Sequence, residues 1–95
     1  MSISIVAIFV SKDNMEPKLT SLFKSVIEST RKESGCLNYT LYLDQENPKR
    51  FTFLEEWQNK ACLEKHLASE CIQDLFNNIQ DLIESSEIIQ LSKIK

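Results

Sequence analysis

Three observations on the 95-residue sequence predict an α+β sandwich. Four runs are β-branched or alternate apolar with polar residues. Other stretches carry apolar residues at helical spacing. The order along the chain is strand, helix, strand, strand, helix pair, strand. That is the βαββαβ order of a ferredoxin-like sandwich, with helices on one sheet. The length fits a single domain, 1–95. A core this small gains from association with a second copy.

The first strand is "ISIVAIFV", residues 3–10, apolar on both faces as in a strand covered on both sides. It has no basic residue before it and is too short to span a bilayer, so neither a targeting segment nor a membrane partner is expected. Pro17 suits the first turn of a helix, where no backbone donor is needed. Leu19, Leu22, Phe23, Val26, Ile27 and Thr30 then share one helical face. Gly35, the only glycine, is expected to stop that helix in the left-handed conformation.

"CLNYTLYLD" alternates, "QENPK" turns, and "RFTFLEEW" alternates again, which reads as an antiparallel hairpin. Matching apolar positions sets the register: Leu43 with Phe51, Leu41 with Phe53, Tyr39 with Glu55, and Leu37 with Trp57. Asn59 and Ser69 are expected to cap two helices. The first carries Leu63, His66 and Leu67 on one stripe, the second Ile72, Leu75, Phe76 and Ile79. The last strand is read as "EIIQLSKI". Helices can cover only one face of such a sheet. Val6, Ile8, Val10 and Leu54 point to the other, which a second subunit would cover.

The composition excludes several functions. A net charge of -3 without a basic stripe argues against nucleic acid. Three cysteines without a CxxC spacing suit reduced thiols and a cytoplasmic location. A single glycine rules out a phosphate-binding loop or a dinucleotide fingerprint.

The register makes Glu55 informative. A carboxylate between Phe53 and Trp57 on a buried face is costly unless it is hydrogen-bonded or protonated. It is either an edge residue reaching water or a base whose pKa burial raises. Tyr39, its cross-strand neighbour, would hold it or bind a substrate oxygen. His66 is either a core histidine with one hydrogen bond or a proton carrier at cellular pH. Trp57 is a cavity wall or a structural anchor. Cys62 and His66, four apart on a helix, permit metal binding, but small buried hydrophobes account better for the thiols.

The stretch "ESGCLNYTLYLDQENPKRFTFLEEWQNKACLEKHLAS" resembles the antibiotic biosynthesis monooxygenase domain family. The shared features are a glycine, "CLxYxL", an acidic turn ending in "PxRF", "EEW", and a helix ending in "HL". The resemblance implies a dimeric α+β barrel, with two sheets face to face and a small-ligand cavity between each sheet and its helices. It implies chemistry without metal or flavin, so no cofactor is expected. One departure stands out: many members continue "HxxTPHF", whereas this chain reads "HLASECIQ", with Cys71 near the second histidine's place. The haem-degrading branch also needs an asparagine on the first strand and a later helical histidine, and both are missing here.

The resulting expectation is a cofactor-independent monooxygenase acting with dioxygen on a small electron-rich aromatic, such as a hydroquinone. His66 or Glu55 would be the base and Tyr39 a hydrogen-bonding partner, with Phe51, Phe53 and Trp57 as the walls. The alternatives are a proton-transfer isomerase of a small oxygenated metabolite and a non-catalytic ligand-binding dimer.

Overall fold

A computed structural model describes residues 1–95. The elements run β1 (Ile3–Ser11), α1 (Glu16–Ser25), α2 (Ile27–Arg31), β2 (Cys36–Leu43), β3 (Arg50–Trp57), α3 (Lys60–Leu67), α4 (Glu70–Ile79) and β4 (Ile83–Leu91). One antiparallel sheet has the order β2-β3-β1-β4. Each helical crossover therefore passes over one intervening strand, and the ferredoxin-like α+β sandwich read from the sequence is what forms.

The sheet has two unlike faces. Ile5, Ala7 and Phe9 of β1 and Phe51, Phe53, Glu55 and Trp57 of β3 are buried beneath the helices. Their partners from above are Leu19, Phe23, Val26, Leu63, Ile72, Leu75 and Ile79. The opposite face carries no helix. There Val6 lies between Leu54 and Ile89, and Ile8 faces Thr52, which pairs with Tyr42. Leu54, Tyr42 and Leu91 remain exposed on it. No helix is long and apolar enough to cross a membrane.

The helix after β1 keeps its expected stripe but breaks at Val26. Leu19, Phe23, Val26 and Thr30 are all buried. The Val26 N–H reaches back only three residues, to the Phe23 carbonyl. The Ser25 and Ser29 hydroxyls donate to the Leu22 and Val26 carbonyls, competing with the helical ladder on both sides of the break.

Gly35 does not end that helix, which stops at Arg31. It turns the chain into β2 with φ at 82°. A β-carbon there would also collide with Cys62 Sγ on α3, so the position excludes a side chain twice over.

In the hairpin, Leu43–Phe51, Leu41–Phe53 and Tyr39–Glu55 pair as the sequence predicts. The fourth pair is a correction: Cys36, not Leu37, faces Trp57. A bulge between Cys36 and Asn38 adds a residue to β2 and leaves Leu37 exposed. β4 also begins earlier than read, at Ile83. Leu82 N–H closes a tight turn onto the Ile79 carbonyl as soon as α4 ends, and β1 is then free to pair with the polar "ESSE" stretch.

Candidate active site

Two helix caps and one strand register bring the site together. The Asn59 side chain accepts the Cys62 N–H at 2.9 Å and starts α3. His66 then falls on the same face as Leu63, and both point at the sheet. Ser69 accepts the Ile72 N–H at 3.3 Å and starts α4, whose Ile72 and Leu75 close the next part of the roof. Below them, one row of the sheet reads Tyr39, Glu55, Ile5 and Gln90 across the four strands.

These residues line one cavity between sheet and helices, with a volume of about 30 Å³. Tyr39, Glu55, His66 and Gln90 supply its polar groups, while Ile5, Phe53, Leu63 and Ile72 are among its apolar walls. Phe51 and Trp57 lie outside the lining. Phe51 packs behind it on Phe23, ring centroids 5.3 Å apart. Trp57, fully buried, stacks on His66 at 4.4 Å. Cys71 is exposed beside Ser29 and is not part of the cavity lining.

Glu55 is buried and takes one hydrogen bond, from the Trp57 indole N–H to Oε1 at 3.0 Å. Burial pushes its carboxyl up to about 7; the Trp57 bond pulls the other way, and the negative Glu33 adds to the rise. Such a group changes charge near neutral pH, as a base or acid must.

His66 is held by a residue the sequence reading did not single out. Its Nδ1 lies 3.1 Å from Glu33 Oε1. A carboxylate only accepts, so the hydrogen sits on Nδ1 and Nε2 keeps its lone pair. Burial lowers the imidazole pKa, and Glu33 opposes that. Glu33 sits in the turn that Gly35 shapes, where its carbonyl takes the Cys36 N–H. A charged residue before a glycine reads as a solvated loop, and nothing in its local sequence signals a partner on α3. Gln90 was also missed, although a lone polar residue in "IIQL" is a signal once the strand faces are known.

Tyr39 is buried with its ring edge toward His66 at 5.6 Å and tilted on Phe53 at 5.0 Å. Desolvation raises its phenol pKa, and the negative Glu55 and Glu33 add to this. The phenol therefore stays protonated and can act only as a hydrogen-bond donor or acceptor. Thr30 Oγ1 is buried without a hydrogen-bond partner. No three His, Cys, Asp or Glu side chains converge in a way that would hold a metal ion.

Known proteins share this fold. The family model described as "Antibiotic biosynthesis monooxygenase" matches residues 1–78. A conserved protein from Methanosarcina mazei superposes with a TM-score of 0.93 at 33% identity, over 98% of this chain and 93% of that one. A crystal structure named antibiotic biosynthesis monooxygenase superposes with a TM-score of 0.92 at 28% identity, over 98% and 99%. An uncharacterized protein of Synechocystis is 29% identical over 83 residues, 87% of this chain. The match spans only 56% of that relative's length.

Proposed function

This chain belongs to the antibiotic biosynthesis monooxygenase family, and from that premise we propose that it oxidises a small electron-rich aromatic, such as a hydroquinone, with dioxygen and without a cofactor. One observation carries the reading. A carboxyl that titrates near 7 and an oriented imidazole open onto the same apolar cavity.

In this reading the substrate itself supplies the electrons. Glu55 or His66 Nε2 takes a phenolic proton, and Tyr39 hydrogen-bonds the resulting oxyanion. The phenolate then gives electrons to dioxygen. One oxygen atom enters the ring and the other leaves as water, the ring losing four electrons as hydroquinone becomes hydroxyquinone. Apolar walls exclude bulk water from the intermediates.

The working unit is a homodimer. The helix-free face with Val6, Ile8 and Leu54 is the surface a second sheet would cover, which is the α+β barrel arrangement that the sequence resemblance implies.

Oxygen uptake over a panel of hydroquinones tests the proposal. His66→Ala and Glu55→Gln should each lower turnover by about 10²- to 10⁴-fold while the fold survives. Full activity in both variants would remove the site assignment. A second reading, a dimer that does not turn over, is favoured by the tightness of the cavity. It expects His66→Ala to cost stability with turnover per folded molecule unchanged.

A further inference from the structure

The cavity is too small for the substrate proposed above. Its volume is about 30 Å³, whereas a cavity of about 150 Å³ holds benzene. The missing space lies next to it. A groove of about 270 Å³ runs between α4 and β4, and Phe9, Phe76 and Ile88 line both the groove and the cavity.

Of these three, Phe9 is fixed. It is buried in the sheet, with its ring 5.2 Å from Phe23 and 6.2 Å from Phe53. Phe76 is only half-buried and stacks on no other ring. Ile88 is 46% exposed on an edge strand held by β1 alone. The partition thus consists of side chains with room to turn. Polarity also changes across it. Tyr39, Glu55, His66 and Gln90 line the cavity, while the groove adds Ile79 and Ile83 with Gln80 and Ser86.

We propose that cavity and groove are one binding site divided by Phe76 and Ile88, and that its ligand is a phenol bearing an apolar substituent. The hydroxyl lies at Glu55 and His66 and the substituent lies in the groove. The headgroup assignment rests on the oxidation reading above; the groove adds where the rest of the molecule goes. The two spaces together reach the lower end of the roughly 300–1,000 Å³ found for small-molecule sites. A charged substituent is excluded, because the groove offers no ionic partner to repay its desolvation.

Calorimetric titration with phenol, 4-propylphenol and 4-heptylphenol tests this. Each methylene buried in the groove should raise affinity about fourfold. Ser86→Trp, on the exposed edge strand, fills the groove: the gain from the tail should disappear, and phenol itself, whose ring needs room beyond the cavity, should bind less tightly than in the parent. Ile83→Trp is the second blocking variant, used if Ser86→Trp fails a thermal melt. Affinity independent of tail length, no binding by any member, or an undiminished gain in the folded Trp variants overturns the proposal. Oxygen uptake on the same samples separates the two readings. Tail-dependent binding without turnover of phenols or hydroquinones sinks oxidation and leaves the extended site standing, whereas turnover with flat affinity does the reverse.

Discussion

Glu33 reaches His66 across 33 positions of sequence, with its Oε1 3.1 Å from the imidazole Nδ1. The pair fixes the tautomer and opposes the pKa-lowering effect of burial. Glu33→Gln should therefore lower the imidazole pKa further. Because His66 is the only histidine, NMR titration of one imidazole signal reads this directly. Turnover should fall less than in His66→Ala, since the base stays in place. An unchanged titration midpoint would show that the contact does not couple the two groups.

The pH dependence of stability contains two opposed contributions. The Glu55 carboxyl is raised from 4.5 to about 7. Its contribution is fully present at low pH and is lost as pH climbs through 7, at most about 3 kcal/mol. His66 is lowered from 6.5, so its contribution is present above that value and lost as pH falls below it. The slopes partly cancel in the parent. Glu55→Gln should leave stability rising toward pH 6.5, and His66→Gln should leave it falling through 7. Urea midpoints from about pH 5 to about pH 8 check both signs.

The helix-free face should hold two copies together. Ile8→Glu or Leu54→Glu places a charge in the middle of it and should shift sedimentation toward a single 11.0 kDa species. Lys32→Glu, on the helical side, should not. A parent protein that sediments only as the monomer would remove this face from consideration as an interface.

Gly35 and Cys62 should be coupled. Gly35→Ala puts a side chain at positive φ and against Cys62 Sγ, so it should cost more than the roughly 1–2 kcal/mol of the left-handed conformation alone. Adding Cys62→Ala removes the Sγ overlap but keeps the Cys62 β-carbon in the way, so it should recover only part of the cost. A double-mutant cycle with no interaction energy would contradict this contact.

Hairpin register, both capped helices and the placing of Tyr39, Glu55 and His66 were legible, because each rests on local alternation or spacing. What could not be read depends on non-local or energetically cheap choices. The β2 bulge moves Leu37 out and Cys36 in, a one-residue slip that apolar pairing alone does not reveal. The start of β4 is set by pairing with β1 rather than by its own polar residues. Glu33 meets His66 only because the turn at Gly35 lies against α3. Phe51 and Phe53 alternate alike and both pack 5.3 Å from Phe23, yet only Phe53 lies against Tyr39 and lines the cavity.

Trp57 is the only indole in the chain, and it is wedged between the two groups whose protons matter. Its N–H reports on Glu55 and its ring face on His66, both through buried contacts. The protein thus carries an optical gauge of its own site. An imidazolium against the ring quenches indole emission, and ionisation at the N–H end shifts its colour. The charge state around a bound ligand can therefore be followed by intrinsic fluorescence, without a label and without turnover.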